Sequence, residues 1–378
     1  MTHRILQVIP EMYIGGAERT TVEVAKALVD AHHEAYIATL GGPLADQAEA
    51  AGARLFARDV KSKNPVMIWR NTQWMRRLIQ EYNIDLIHAR SRAPAWSAYW
   101  AAKAEGIPYL ATYHGTYKAQ GALKRAYNAI MTKGPLTIAN SGFIKDHIIA
   151  EHGLDPDRIV VIPRGANTEQ FDPQALSPDR LQALKSAWGL HDLTGLVLLL
   201  PARLTPWKGQ SLLLEALAQV QFPFTALLVG EDQGRHEYTA ELRRTRDRLG
   251  LGDRVHLVGG CQDMPAAYGL CDVVVSPSTE PEAFGRVAIE AMAMGKPIVA
   301  SDHGGHRETI LSGRTGILHA PGDVHALAQA LDQVAQMPQE SRDQMGMMGR
   351  QHVVDHFSTQ AMTKATLSVY DRLLKRSH

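Results

Sequence analysis

Along the chain, short apolar runs of strand character alternate with longer stretches whose apolar residues recur every three or four positions. In the first half the short runs fall at residues 5–9, 34–39, 54–56, 85–88, 109–113, 136–139 and 159–162; in the second they fall at 196–200, 225–229, 255–258, 272–275 and 297–301. Runs this short suit strands buried on both faces, as in parallel sheets. Helical spacing is clearest at 17–29, where Val22, Ala25, Leu28 and Val29 share a face, and at 65–81, 121–133, 210–220 and 284–294. Strands alternating with helices build doubly wound parallel sheets. The Pro-containing stretch 171–178 separates the two sets of strands, and after residue 301 only helices are expected, at 324–337, from 341 onward and at 359–375. Two α/β domains are therefore expected, at residues 1–170 and 171–357, followed by a helical segment at 358–378.

A length of 378 residues exceeds one ordinary core and fits two such domains. Nothing in the sequence is long and apolar enough to cross a bilayer, and MTHRILQVIP enters a strand directly, unlike a signal peptide. Cys261 and Cys271 form no ligand or redox motif and read as thiols of a reduced compartment, so a cytoplasmic location is expected. The formal net charge of +1 conceals an asymmetry: residues 61–133 hold twelve Lys or Arg against three acids, a local +9 that leaves −8 on the remainder. Such an excess implies an anionic partner. At 65–81, Trp69, Trp74, Met75, Leu78 and Ile79 accompany Arg70, Arg76 and Arg77; at 121–133, Leu123, Tyr127, Ile130 and Met131 accompany Lys124 and Arg125. The pattern fits helices lying on anionic membrane at its inner face, and equally amphipathic helices covering a sheet with a solvated basic back. No nucleic-acid partner is expected.

Candidate chemistry concentrates between residues 201 and 305. Glu282 and Glu290, with seven residues between them, flank the start of the 284–294 helix. Were both fully helical, eight rises would hold them about 12 Å apart. A hydrolytic pair needs roughly 5 Å for retention and at most about 9.5 Å for inversion. The spacing suits gripping two ends of one long, hydroxyl-rich ligand. Between the two carboxylates, main-chain N–H groups around Phe284 and Gly285 mark a helix N-terminus, where anionic oxygens are bound, and Gly285 permits close approach. Read alone, the same acids make an ordinary capped helix start. Upstream, Arg203 and Lys208 follow the strand at 196–200 and precede a helix, a pairing that neutralises a diphosphate without a metal. Asp155-Pro156-Asp157 has the spelling of a manganese-binding Asp-x-Asp but sits where a turn is expected, and no metal or other cofactor is predicted.

Two features of the first half lie at strand ends. Gly15 and Gly16 join the first strand to its helix, either as a tight turn or as a loop that lets backbone approach a phosphate or sugar; the dinucleotide fingerprint is absent. His114 follows the strand at 109–113, placed as a loop hydrogen-bonder or a ligand contact.

Glu-x7-Glu enclosing Phe-Gly, continued by Glu-Ala-Met-Ala-x-Gly-x-Pro-Ile-Val-Ala and then Gly304-Gly305, resembles the signature of retaining glycosyltransferases of family 4. The resemblance implies the GT-B fold: two Rossmann-like domains facing a central cleft, acceptor-binding first and nucleotide-sugar-binding second, with the last helix crossing back to the first. It implies that Glu282 and His114 contact the donor sugar, that Glu290 holds the nucleotide ribose, that Arg203 and Lys208 grip the pyrophosphate, and that Gly15 and Gly16 face the donor phosphates. Gly230, at the end of the 225–229 strand, joins the donor-binding set. Arg286 and the run from Asp302 to Glu308 look most like enzymes building lipopolysaccharide core or related envelope glycans. Arg164-Gly165-Ala166-Asn167 stands where many members carry Asn-Gly-x-Asp. A hexosyltransferase acting on a glycan or glycolipid from a UDP-, GDP- or ADP-sugar is the expected activity. A sugar-nucleotide epimerase, a soluble glucan synthase and a two-lobed sugar-binding protein are the alternatives.

Overall fold

The computed structural model describes residues 2–13, 15–117, 119, 121–190 and 192–375; Lys118, counted in the basic segment, lies outside them. The chain divides into two units, Met1–Arg164 with Thr359–His378, and Gly165–Ser358. The first unit holds β1 (Arg4–Val8), β2 (Glu34–Thr39), β3 (Arg54–Ala57), β4 (Leu86–Ala89), β5 (Tyr109–Tyr113), β6 (Thr137–Ala139) and β7 (Ile159–Val161). They form one sheet in the order β3-β2-β1-β4-β5-β6-β7, every pair parallel. The second holds β8 (Leu196–Pro201), β9 (Phe224–Val229), β10 (Val255–Gly259), β11 (Val273–Ser276), β12 (Ile298–Ser301) and β13 (Gly316–His319), ordered β10-β9-β8-β11-β12-β13 and again parallel throughout. Both units are Rossmann-like, as the alternation predicts. The strand β13 is an addition: four residues after a polar turn give too short a run to separate from loop, and its register with β12 supplies the identity.

The second sheet shows why its strands read as unbroken apolar runs. Leu198 and Leu200 of β8 face a core shared with Leu213 and Leu214 of the helix Gln210–Leu217 and with Leu327 and Leu331 of the helix Val324–Gln336. Val197 and Leu199 face the opposite core, with Ile289 and Met292 of the helix Arg286–Ala293. One strand serves two cores, so no polar alternation survives.

Strand order locates the ligand-binding ends. In the first sheet β1 neighbours β4, and the chain runs outward from β1 to one edge and from β4 to the other; β8 and β11 hold the same positions in the second. Connections diverge at such a point and leave a crevice beyond the carboxyl ends of the two strands.

The last helix, Thr359–Lys375, joins the core of the first unit through Met362, Val369, Tyr370, Leu373 and Leu374. The division falls after Arg164, where the sequence suggested residue 170. Ala166 bonds the Phe357 carbonyl and bridges Ser358, and with Phe171 it is buried in the second core, so residues 165–171 belong to the later unit. The basic helices are mostly of the covering kind. Met75, Leu78, Ile79, Ile130 and Met131 are core residues, Trp74 packs edge-on against Phe56, and Arg76 is paired with Glu105 at 2.6 Å. Val66, Trp69 and Leu123 are the exceptions, exposed at 64%, 63% and 90% beside exposed Arg70 and Lys124. Among the described residues no helix is long and apolar enough to cross a membrane.

One buried polar chain ties the returning helix down: Tyr370 Oη lies 2.7 Å from His88 Nδ1, and His88 Nε2 lies 2.7 Å from Thr112 Oγ1. His88 is fully buried, and desolvation followed by the nearby Arg90 charge keeps its pKa well below the ordinary value. Tyr370→Phe strands a buried ring nitrogen and should cost about 1–3 kcal/mol. Urea denaturation measures this, and an unchanged midpoint would show that the hydrogen bond contributes nothing.

Candidate functional site

In the second unit the loop after β8 carries both predicted cations, and its geometry separates them. Arg203 is exposed; its Nη1 donates to Gln233 Oε1 at 3.3 Å, and its carbonyl accepts from Gln210 Nε2 at 2.9 Å. Lys208 ends the short turn Pro206–Lys208. Gly209 follows in the left-handed region at φ 76°, and a Cβ there would lie 2.0 Å from the Pro277 carbonyl oxygen. That contact, with Thr279 N–H donating to the Trp207 carbonyl at 2.8 Å, clamps the β8 loop onto the loop after β11. Lys208 Nζ consequently reaches Glu282 Oε1 at 2.5 Å, while Ser278 Oγ donates to the same oxygen at 2.7 Å. The two side chains are only 15% and 12% exposed. Burial raises the Glu282 pKa, but the Lys208 charge and the hydrogen bonds from Lys208 and Ser278 hold the carboxyl below its ordinary value.

The run from Asp302 to Glu308, noted for its resemblance to envelope enzymes, braces Glu282 from behind. Gly305 N–H donates to the Glu282 carbonyl at 2.8 Å, and His303 Nε2 donates to the Ser278 carbonyl at 2.9 Å. A Cβ on Gly304 would meet the Glu282 carbonyl oxygen at 2.4 Å, and one on Gly305 would meet Phe284 backbone at the same distance. His306 lies beneath Gly285, where a Cβ would approach its ring to 2.6 Å. Its Nδ1 donates to the Ser301 carbonyl at 3.1 Å, which leaves Nε2 to accept from Ser276 Oγ at 3.3 Å. Burial pushes this imidazole down to about 4.

The helix Arg286–Ala293 begins two residues later than its periodicity suggests, so Glu282 lies in the preceding loop and helical rise does not measure its separation from Glu290. Gly285 caps the helix at φ 89° with no side-chain hydrogen bond to the first turn. The Phe284 ring is core, 3% exposed and edge-on to Phe357, which leaves only its main chain for a ligand. Arg286 Nε donates to Glu290 Oε1 at 2.8 Å and Tyr268 Oη to Glu290 Oε2 at 3.2 Å, so both carboxylate oxygens are oriented. Gly230 has its N–H bonded to the Gly259 carbonyl, and a Cβ there would lie 2.0 Å from the Ala202 carbonyl oxygen. The missing side chain lets the chain leave β9 in close contact with the loop after β8.

In the first unit, Gly15 and Gly16 open the helix Gly16–Asp30 after β1, and Arg90 follows β4 across the same crevice. Arg90 is 2% exposed and donates through Nε to Gln7 Oε1 at 2.9 Å. His114 lies beyond β5 with Arg164 Nη2 at 3.1 Å from its Nδ1. Asp155 caps a turn by accepting from Asp157 N–H at 2.9 Å, as the Pro between them predicts. Sequence spacing does not point to Arg90, Arg164, Ser278, Tyr268 or His306. Ser278 lies one helical turn before Glu282 in number, and Arg164 stood out only as a departure from a motif; Tyr268 is 22 residues from Glu290 and had no local signal.

The depressed pKa of His306 makes stability pH-dependent. The unfolded imidazole titrates near about 6.5 and the folded one at about 4. Above that window both states are neutral and stability is full; as pH falls through it the unfolded chain binds a proton that the folded chain resists, and stability is lost. His306→Asn keeps a donor for Ser301 and should flatten this slope in denaturation series taken across the window. An unaltered slope would exclude His306 as a source.

Known proteins align with this arrangement over its whole length. Residues 14–170 match the family described as Glycosyltransferase Family 4, and residues 186–352 match Glycosyl transferases group 1. A glycosyltransferase from Rickettsia africae superposes with a TM-score of 0.92 at 35% identity, covering 99% of each chain. HepE from Anabaena, solved in complex with UDP and glucose, gives 0.86 at 25% identity over 98% of this chain and 100% of that one. The GDP-mannose-dependent alpha-(1-6)-phosphatidylinositol monomannoside mannosyltransferase of Mycolicibacterium smegmatis is 28% identical over 83% of this chain and 84% of its own. With its two halves matched in order and a solved relative spanning 99% of it, the chain belongs to the GT-B glycosyltransferases of family 4 and group 1.

Proposed function

We propose that the chain is a retaining transferase that moves a hexose from a nucleotide diphosphate sugar to a hydroxyl of a glycan or glycolipid. The observation that carries this reading is the Lys208–Glu282 pair at 2.5 Å beside the Gly285-capped helix, at the switch point of the second sheet. Cation, carboxylate and main-chain N–H groups share one crevice there. GDP-mannose in the name of the mycobacterial relative and UDP with glucose in the Anabaena complex favour a GDP- or UDP-hexose, with ADP-sugars as the third class to test.

In this mechanism Arg203 and Lys208 take up the charge that grows on the diphosphate as the anomeric carbon–oxygen bond breaks, aided by N–H groups around Phe284, Gly285 and Arg286. Gly15 and Gly16 are the first unit's proposed main-chain contacts to phosphate. Lys208 and Ser278 both occupy Glu282 Oε1, so Oε2 accepts from sugar hydroxyls. His114 is the first unit's proposed contact to a hexose hydroxyl. Glu290, its oxygens fixed by Arg286 and Tyr268, accepts from the ribose diol. The acceptor oxygen attacks on the face the diphosphate leaves, and its proton passes to the departing phosphate oxygen. Side-chain cations and a helix N-terminus supply the neutralisation, so the proposed reaction uses no metal or other cofactor.

The acceptor class we favour is an envelope glycolipid, lipopolysaccharide core among them, met at the inner face of the cytoplasmic membrane. Support comes from exposed Val66, Trp69 and Leu123 standing beside Arg70 and Lys124 in the +9 segment.

Arg203→Ala and Glu290→Ala should each lower turnover about tenfold or more, assayed with UDP-, GDP- and ADP-hexoses and acceptor; wild-type rates in both would remove the donor assignment. Trp69→Ser with Leu123→Ser should reduce cosedimentation with anionic vesicles. Equal binding of the wild type to anionic and neutral vesicles would eliminate the membrane contact.

A further inference from the structure

A neutral imidazole has one ring nitrogen that donates and one that accepts, and the group facing the first decides what the second offers. Arg164 Nη2 lies 3.1 Å from His114 Nδ1. A guanidinium carries donors only and keeps its proton, so Nδ1 must present its lone pair. The ring proton then resides on Nε2. That atom is buried and has no hydrogen-bond partner among the described residues.

Arg164 is itself fixed. It is 8% exposed, its Nη1 lies 3.4 Å from Thr20 Oγ1, and a Cβ on Gly16 would intrude to 2.6 Å from Nη1. The second glycine of the β1 loop thus makes room for a guanidinium of its own unit. On the far side, Asn140 Nδ2 lies 3.4 Å from the His114 carbonyl, which holds the backbone from which the ring projects. Burial, then the charges of Arg164 and Arg90, disfavours a second ring proton and drives the His114 pKa well below its ordinary value.

We infer that Arg164 is a positioning residue that locks His114 in the Nε2–H tautomer and so makes it a hydrogen-bond donor to an oxygen of the bound hexose. His114 is thereby excluded as a general base. The inference rests on the sugar contact proposed for His114 and adds which ring atom makes it and what enforces the choice.

The test uses the full chain labelled with ring-15N histidine, the His114 signals being identified by their loss in His114→Ala. Long-range proton–nitrogen correlation should show Nε2 protonated and Nδ1 bare in the wild type. Arg164→Met should give a mixture of tautomers and a loss of kcat/KM of roughly tenfold, the scale of one hydrogen bond to substrate. Arg164→Lys, also a pure donor, should restore the wild-type pattern and most of the activity. A wild-type spectrum with the proton on Nδ1 overturns the inference without any variant, and an unchanged tautomer in a folded Arg164→Met overturns it too. The expected spectra together with full activity in His114→Ala would instead refute the sugar contact and leave the Arg164–His114 tautomer lock standing.

Discussion

The ion pair between Lys208 and Glu282 is the contact around which the second unit's crevice is organised. It joins the loops after β8 and β11, the two strands from which the sheet diverges. Each side chain is largely removed from water, so neither charge would be tolerated without the other; deleting one partner of such a pair commonly costs roughly 3–5 kcal/mol. Packing holds the loops in place first. Gly209 against Pro277 and Gly304 with Gly305 against the Glu282–Phe284 backbone leave no space for side chains. The charges then sit at a separation fixed by backbone contacts, which is the preorganisation that electrostatic stabilisation of a leaving group requires.

The same logic recurs in the first unit with different chemistry. There the crevice beyond β1 and β4 is lined by buried guanidinium groups and by neutral partners such as Gln7 and His114.

The fold was legible because strands buried on two faces leave apolar runs that nothing interrupts, as at 196–200, and because helix spacing between them is regular. Gly316–His319 escaped because its strand identity is conferred by β12. Local spacing picks out Glu282, Glu290 and Lys208 as candidates, while the partners that the fold brings to such residues have no local signal: Lys208 and Glu282 are 74 residues apart, and Arg164 and His114 are 50. Phe284 and Gly230 illustrate the converse. Each lies at a strand or helix end that faces the crevice, yet the Phe284 ring belongs to the core and the Gly230 N–H to Gly259. The charge count over 61–133 likewise could not distinguish Arg76, paired with Glu105, from Arg70 at the surface.

The return of the final helix to the first unit sets an order on biosynthesis. Residues 165–358 are all translated before the helix at 359–375 that completes the first unit. The earlier-made unit must wait: Tyr370, Leu373 and Leu374 belong to its interior and are translated after all of residues 165–358. Of the two units, the one begun earlier is finished later, its apolar flank uncovered and within reach of chaperones until the 359–375 helix closes over it.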